Sequence, residues 1–450
     1  MSKDDSTIDT RIIILLVCLI SVLTLFIRVQ YVNHTSINNP IRADARQYVL
    51  YGYNLAHHGT FSREFPASAP SPDSFCSPGY PLVIALSFLL GGEKGFYAIV
   101  IYSQVVLSAL LVPLTFFLGL RFLPPWDALA AALLVALSPH LTSMAGYVLT
   151  ETLFAFLLLS SILLYCIALK RHRHTPFILA GLLFGSAYLT NETVLFIPLL
   201  LAAITALSLG LHKAQSKKNH LARMLVVFLI IFLLFPAVWT LRNSTLPATA
   251  PRASDRAIAT LSHGTYPDFI YKDPRFQYYP YREDPMQPGF GSSLATFGKI
   301  FCQRFKERPG RYLLWYLFEK PYYFWSWNIL QGQGDIYVYP VEGSLYTTSP
   351  FASATRETMK YLHPVILILF LAGIPLLYFT RRKSRDGTSL PVTPIILFAV
   401  CIYYTFLYSV FAPWPRYSVP LRPELYLIAM WSFRTAGIMI SKKIRLNNEI

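Results

Sequence analysis

The chain has 450 residues, of which 54% are hydrophobic and only 14% charged, with a formal net charge of +16 at pH 7. Soluble domains carry about a quarter charged residues, so this composition excludes an ordinary soluble enzyme and indicates a chain dissolved largely in lipid. The Lys and Arg residues cluster between apolar runs, which is typical of cytoplasmic membrane-protein loops and argues against a nucleic-acid-binding domain.

Ten apolar runs are candidate membrane spans, because each approaches the roughly 20 residues that a helix needs to cross a bilayer. They cover residues 12–31, 98–120, 126–143, 148–169, 176–189, 194–211, 224–241, 363–380, 391–412 and 419–433. No small-residue cleavage site follows the first run, so we interpret it as a permanent anchor rather than a removed signal.

A shorter apolar run, 80–90, would cover only about half of the hydrocarbon core. If this run does not cross and the N-terminus is inside, the four richest basic clusters all face the cytoplasm, as the positive-inside rule requires. Those clusters are 170–174, 213–223, 381–385 and 434–445. The sequence therefore predicts ten spans, with 80–90 as a half-inserted or interfacial helix on the outer side.

The predicted fold is an all-α integral membrane protein with about ten transmembrane helices and two large outer regions. The first outer loop, 32–97, carries juxtamembrane helices, and the second lies between spans seven and eight. We divide the chain into an N-terminal membrane module (1–241), an extracytoplasmic loop region (242–362), and C-terminal membrane helices with a basic tail (363–450). Within the second loop, 301–327 fits either a helix in the headgroup region or a loop helix packed on protein.

Two smaller patterns concern packing and covalent structure. Gly181 and Gly185 form a GxxxG pattern, for which close helix packing is a sufficient explanation. Cys76 and Cys302 fall in the outer loops, where a disulfide is allowed, but the sequence does not show whether they pair.

The chain lacks the common signatures of soluble enzymes, including Walker A, HExxH, GxSxG and DxD motifs. Polar groups at the outer ends of the spans are therefore the candidates for chemistry. Asp44 begins a predicted amphipathic helix, as a helix cap or a functional acid. Glu151 lies at the outer boundary of the fourth span, where an ionisable group is costly; compensation of the helix dipole is the other explanation.

Arg242 and Arg416 lie at the outer edges of spans seven and ten, where the positive-inside rule disfavours them. A phosphate or carboxylate partner would explain each arginine, and snorkelling toward lipid headgroups is the alternative.

Taken in order, these segments resemble the GT-C superfamily, in particular the bacterial branch that includes the lipid A aminoarabinose transferase and relatives of protein O-mannosyltransferases. The matching segments are DARQY (44–48), NLA (54–56), GTFS (59–62), PGYPL (78–82), SP (138–139), TETLF (150–154), WTLRN (239–243) and RYSVP (416–420). The resemblance implies a sugar donor linked to a polyprenyl phosphate and transfer on the periplasmic or lumenal side. It also implies that Asp44 is the acidic residue that takes part in catalysis.

Two departures leave the identity of the donor open. The related mannosyltransferases carry two adjacent acids in the first loop, whereas Ala45 follows Asp44 here. The aminoarabinose enzyme has a Lys near its proline turn, and none occurs in 77–81.

We therefore expect a glycosyltransferase that moves a sugar from a polyprenyl-phosphate-linked donor to a lipid, glycan or protein acceptor. Asp44 would be the general base, and Arg242 or Arg416 would stabilise the departing lipid phosphate. Glu151, Tyr48 and Tyr80 would bind or orient substrate. A single base without a covalent partner favours inversion at the sugar carbon.

The remaining expectations concern cofactors, location and the competing function. No metal ligands are predicted, because His57, His58 and the scattered carboxylates lack ligand spacing; no cofactor is assigned, and a divalent cation is left open. The expected location is a bacterial inner membrane, with the active site facing the periplasm or the outside. The alternative is a polytopic transporter or flippase of lipid-linked saccharides, which would need polar residues near the middle of several spans.

Overall fold

The computed structural model describes residues 10–65, 69–171, 173–210, 215–267, 284–290, 292–329, 334–383 and 392–448. Over these residues the protein is mostly helical, and its one sheet has two short antiparallel strands, β1 (Ser36–Ile37) and β2 (Val341–Gly343). The predicted all-α class is therefore confirmed. Parts of three basic clusters used to orient the chain, at 172, 213–214 and 384–385, lie outside the described residues.

The helices of the described residues are numbered here in chain order. In order, they are α1 (Thr10–Asn33), α2 (Ala43–His58), α3 (Gly79–Gly119), α4 (Pro125–Leu137), α5 (Pro139–Met144), α6 (Glu151–Arg171), α7 (His174–Thr190), α8 (Ile197–Gly210), α9 (Gln215–Ser244), α10 (Ala253–His263), α11 (Gln287–Phe290), α12 (Leu294–Glu307), α13 (Pro309–Leu314), α14 (Lys320–Phe324), α15 (Leu345–Thr348), α16 (Pro350–Lys383), α17 (Val392–Val410) and α18 (Arg422–Asn448). A π-helical turn (Trp315–Glu319) joins α13 to α14, and short 3-10 helices cover Glu192–Val194 and Pro415–Leu421.

Six of the described helices are long and apolar enough to cross a membrane, namely α1, α3, α6, α9, α16 and α17. Helix α4 and the segment Glu192–Ser208 are apolar but shorter. Helices occupy all ten predicted runs, whereas length and composition mark six of them as spans. The count of ten spans therefore stays a prediction.

Helix α3 contains both the short run 80–90 and the predicted span 98–120. It is too long for one straight crossing, because a helix of roughly 20 residues already spans the hydrocarbon core. The helix is interrupted at Gly92, which has a positive φ. A residue without a Cβ adopts such a backbone at little steric cost. The part of α3 before Gly92 is therefore a separate arm, and it packs against α2 of the first outer loop.

The predicted span 126–143 is two helices in the structure, because Pro139 interrupts it. Proline has no N–H to donate and disfavours helical backbone in the residue before it, and Ser138 accordingly has ψ of 112°. Arg28 of α1 is fully buried and donates a hydrogen bond to the carbonyl oxygen of Val135 at 3.2 Å. This arginine adds a second hydrogen bond to a carbonyl at the end of α4 that also accepts the Ser138 N–H at 3.4 Å.

The two outer loops pack against each other. Strand β1 of the first loop pairs with β2 of the second, and an isolated bridge joins Ser74 to Arg252. The Tyr339 hydroxyl also donates to the carbonyl oxygen of Arg42 at 3.1 Å. The loops therefore meet at the ends of the spans, while the division of the chain into three parts stays a prediction.

Helices α7 and α9 approach closely at the glycines of the GxxxG pattern. A Cβ atom added to Gly181 would lie 2.9 Å from the carbonyl oxygen of Phe228, and one added to Gly185 would overlap the ring of Phe235. Close helix packing was the predicted role of these glycines, and the structure confirms it.

We expect Gly181→Ala to lower the thermal unfolding midpoint of the detergent-solubilised protein, because overpacking a tight contact costs about 1–3 kcal/mol. Gly437→Ala in α18 is the matched control, since a Cβ there meets nothing within 4 Å. Intrinsic tryptophan fluorescence during heating measures both midpoints. Equal midpoints for the two variants would contradict the packing described here.

Candidate functional site

Asp44 lies in the first turn of α2, as the amphipathic pattern predicts. The preceding residue, Ala43, has φ of 47°, which is unusual for a residue with a Cβ and costs about 1–3 kcal/mol. Contacts on Arg42 hold this strained start in place, because its carbonyl accepts the Tyr339 hydroxyl and its guanidinium lies 5.1 Å from the centre of that ring. The second outer loop thus holds the start of α2, the turn that carries Asp44.

Arg416 brings the candidate acids together. It lies in the 3-10 helix Pro415–Leu421, and its backbone N–H donates to the Ile329 carbonyl at 3.1 Å. Its guanidinium forms an ion pair with Asp44, and its Nε atom lies 3.5 Å from the Glu151 carboxylate. The arginine therefore bridges two carboxylates from different parts of the chain and is not simply snorkelling toward headgroups.

Glu151 is the first residue of α6 and is nearly inaccessible, with 5% of its side chain exposed. The hydroxyl of Thr150 donates to its carboxylate at 3.4 Å. At the first residue of α6, Glu151 compensates the helix dipole and also pairs with Arg416. Asp44, in contrast, has 40% of its side chain exposed. The two acids therefore differ in access although they share one arginine.

The electrostatics of the cluster favour a charged arginine. Burial alone would lower the pKa of Arg416, but Tyr417, Asp44 and Glu151 outweigh it and raise the pKa well above its ordinary value. The guanidinium also lies 5.1 Å from the centre of the Tyr417 ring. Arg416 is thus a permanent positive charge held in a water-poor position.

Tyr48 and Tyr80 form an aromatic wall beside this cluster. Their rings meet edge to face with centres 5.3 Å apart. The Tyr80 hydroxyl is buried and donates to Gln104 at 3.0 Å. Burial also raises the pKa of Tyr48 well above its ordinary value, so its hydroxyl stays neutral. Tyr80 therefore fixes the position of Tyr48, which is the more accessible of the two.

Arg242 contacts the first outer loop and lies outside the cluster formed by Asp44, Glu151 and Arg416. It donates to the carbonyl oxygen of Asp73 at 2.6 Å and lies 5.1 Å and 5.5 Å from the ring centres of Trp239 and Phe61. The Asp73 carboxylate in turn accepts the Tyr51 hydroxyl. The structure joins Arg242 to the folded part of the first loop and does not bring it into the Asp44 cluster.

A second ion pair near the cluster was not among the predicted site residues. Arg256 of α10 donates to Glu192 at 2.5 Å, and the Ser77 hydroxyl donates to the other oxygen of Glu192 at 3.1 Å. A second guanidinium nitrogen lies 3.8 Å from the Cys76 sulfur. The positive-inside rule disfavours an arginine in an outer loop, so it applies to Arg256 as it does to Arg416. Arg256 does not lie at the edge of a span, however, and the sequence analysis therefore did not single it out.

The structure also bears on metal and lipid sites. Among the residues that the structure describes, no three His, Cys, Asp or Glu side chains are grouped as a metal site would require.

An open groove of about 590 Å³ runs along α9 beside the start of α8. It is lined by Leu195, Leu233, Pro236, Ala237, Thr240, Leu241 and Ser244. Its walls are almost wholly apolar, and none of its lining residues belongs to the arm of α3 before Gly92.

We expect a water-soluble maleimide to modify Cys302 but not Cys76 in the folded protein. Both thiols are free; Cys302 is exposed, whereas burial raises the pKa of Cys76 to about 12. At neutral pH such a thiol holds little of the reactive thiolate. Peptide mass spectrometry measures the labelling, and Cys302→Ser is the control. Equal labelling, or a disulfide-linked peptide pair, would refute the buried thiol beside Arg256.

The comparisons with known proteins concern the middle of the chain most directly. Residues 73–239 match the model of the dolichyl-phosphate-mannose-protein mannosyltransferase family. The matched stretch includes Glu151 and the Ser138–Pro139 break; it begins after Asp44 and ends before Arg242 and Arg416. No curated protein sequence matches the chain.

Two solved structures illustrate the likeness in shape. The archaeal oligosaccharyltransferase AglB from Archaeoglobus fulgidus, in complex with an inhibitory peptide and a dolichol-phosphate, is 12% identical with a TM-score of 0.47, covering 96% of this chain and 52% of its own. ArnT from Cupriavidus metallidurans, bound to undecaprenyl phosphate, is 13% identical with a TM-score of 0.48, covering 96% and 63% respectively. The chain thus spans about half to two thirds of these proteins. The family match confirms, over residues 73–239, the resemblance to the GT-C superfamily that the motifs indicated.

Proposed function

We propose that this protein is a glycosyltransferase that moves a sugar from a polyprenyl-phosphate-linked donor to a lipid, glycan or protein acceptor. The observation that carries the proposal is the Arg416 guanidinium held between Asp44 and Glu151. The match of residues 73–239 to a family named for a dolichyl-phosphate sugar donor supports the choice of donor class. The activity needs one accessible base and one fixed cation, and this cluster supplies both.

Asp44 and Glu151 have different proposed roles because their side chains differ in exposure to solvent. Asp44 is open to a bound acceptor and takes the proton from its hydroxyl as that oxygen attacks the sugar carbon. Glu151 is enclosed and orients the guanidinium of Arg416 from the opposite side. Because Glu151 is enclosed, one carboxylate acts on the sugar, which favours inversion.

Arg416 supplies the charge that the reaction requires at its other end. Negative charge develops on the lipid phosphate as the sugar leaves, and a preorganised cation stabilises that charge most strongly where water is scarce. A guanidinium has five N–H donors, so Arg416 can hold Asp44 while it also contacts phosphate. Arg242 then acts indirectly, through the Asp73 segment that it holds.

The two ends of helix α6 support the proposed location of the site. Glu151 begins α6, and Lys170 and Arg171 lie in its last turn, about 30 Å away along the axis. The positive-inside rule assigns the basic end to the cytoplasm, which puts the Asp44 cluster on the outer face. This sidedness supports a site that faces the periplasm or the outside, and the bacterial inner membrane stays a prediction from the sequence.

The apolar groove along α9 suits the tail of the donor. Isoprenoid chains offer no hydrogen bonds, and the groove is lined almost entirely by apolar atoms. Its lining reaches Leu241 and Ser244, on either side of Arg242, at the same end of α9 as the first-loop segment bound by that arginine.

The transporter alternative lacks a comparable observation. Buried charged residues of the described helices, such as Arg28, Arg422 and Glu424, lie within two turns of a helix end. A transporter of charged lipid-linked sugars would instead need such groups near the middle of several spans.

We expect Asp44→Asn to reduce sugar transfer about 100-fold to 10,000-fold, as loss of a general base does, and Arg416→Lys to reduce it about 100-fold to 1,000-fold. Purified protein in nanodiscs is supplied with a panel of radiolabelled polyprenyl-phosphate sugars and a membrane acceptor fraction. Asp127→Asn is the matched control, because Asp127 pairs with Arg434 at 3.0 Å outside the cluster. No transfer by the wild type from any donor, or full activity of Asp44→Asn, would refute the proposal.

We expect Arg242→Gln to lower the thermal midpoint while leaving the KM for the donor nearly unchanged, because its hydrogen bond to Asp73 holds a loop. Arg416→Lys, which keeps the positive charge between Asp44 and Glu151, is the comparison, and its main effect is on transfer. A large rise in donor KM for Arg242→Gln, with an unchanged thermal midpoint, would restore the phosphate-binding role predicted from the sequence.

A further inference from the structure

Helical segment 309–324 of the second outer loop has two apolar faces. It comprises α13, the π-helical turn and α14, which follow one another without a break in helical backbone. One face packs on the protein and includes Trp315, Lys320 and Phe324, all fully buried. The other face bears a row that we call the 313–322 strip, with its members Leu313, Leu314, Leu317, Phe318 and Tyr322 exposed at 47–72%.

Lys320 fixes the depth of this segment relative to the membrane. Its ammonium group donates to the carbonyl oxygens of Ser409, Val410 and Phe411 at 3.0–3.1 Å. Those carbonyls end α17, one of the helices able to cross the membrane, whose 19 residues extend about 28 Å. The end of such a helix lies at the boundary of the hydrocarbon core, so segment 309–324 lies there as well.

The 313–322 strip continues the lipid-facing surface of α17. Ile402, Phe406 and Val410 recur every four residues along that helix and are exposed at 48%, 72% and 38%. Val410 ends this row and is also a residue whose carbonyl binds Lys320. An apolar surface thus passes from a membrane-spanning helix onto the strip, and the same occupant is expected to cover both.

Charge on the neighbouring helix fits the same environment. Helix α12 packs against segment 309–324 through Phe301 and Tyr312, whose ring centres are 5.9 Å apart. Lys299 and Lys306 on α12, and Arg308 just beyond it, are exposed. Basic side chains beside an apolar helix face are typical of helices that lie in a membrane interface and contact anionic headgroups.

We propose that segment 309–324 is embedded in the membrane leaflet on the side of the Asp44 cluster, with the 313–322 strip among acyl chains and the adjacent basic residues at lipid phosphates. Lys320 ties this lipid-embedded segment to the end of α17, and Arg416 follows that end after a short connection. Lipid contact at the strip therefore supports the turn that carries Arg416. The inference does not depend on the proposed function.

Spin-label accessibility in lipid vesicles tests the proposal with the full-length protein. Exposed Cys18 and Cys302 are replaced by Ser, and a label is attached to Leu317→Cys or Phe318→Cys; Glu307→Cys, exposed at the end of α12, is the control. Vesicles contain phosphatidylcholine and phosphatidylglycerol. We expect labels at 317 and 318 to collide more with oxygen than with a water-soluble nickel chelate, and the label at 307 to show the reverse.

Two outcomes would overturn the embedding. Stronger collision with the nickel chelate at 317 and 318 would mean that water covers the strip. Weak collision with both reagents would mean that a protein surface, such as a second copy of the chain, covers it. Thermal midpoints of the labelled variants establish that each one is folded.

A second measurement tests the charges. We expect the triple variant Lys299→Gln, Lys306→Gln and Arg308→Gln to immobilise several-fold less spin-labelled phosphatidylglycerol, relative to phosphatidylcholine, than the parent protein. An unchanged preference would overturn the headgroup contact, whatever the depth of the strip.

Discussion

The guanidinium of Arg416 is the contact on which the candidate site depends. It joins Asp44, 372 positions earlier in the chain, to Glu151 at the start of a membrane helix. Two carboxylates at close range repel each other when water is scarce, and a shared cation removes that repulsion. Loss of the arginine would leave both charges uncompensated, one of them nearly buried. The cluster therefore exists only when the first loop, α6 and the entry to α18 are assembled.

The contacts made by the second outer loop explain why this loop is long. It supplies the Ile329 carbonyl that holds the backbone of Arg416 and the Tyr339 hydroxyl that holds Arg42. It also supplies Arg256, which binds Glu192 between α7 and α8. Each contact fixes a segment that begins or ends a helix. The second outer loop thus holds the ends of several helices in place, and with them the polar groups of the candidate site. Short connections between the helices would not supply these contacts.

Motifs at span ends allowed the convergence of Asp44, Glu151 and Arg416 to be predicted, because apolar runs and charge determine depth in the membrane. Depth does not determine rotation about a helix axis, so the sequence could not show which neighbours Arg242 contacts, and the phosphate-binding role of Arg242 stays a prediction. The pair Arg256–Glu192 depends on how a loop helix packs, which no periodic pattern encodes. The break at Ser138 follows from Pro139 inside the predicted span 126–143, because proline has no N–H to donate and disfavours helical backbone in the residue before it.

The strained backbone at Ala43 limits how this position can vary among related proteins. A left-handed backbone is readily adopted by Gly and tolerated by Asn and Asp, whereas a β-branched residue is a genuine outlier there. Sequence drift at position 43 should thus be confined to small or short polar residues, even though the side chain itself is exposed.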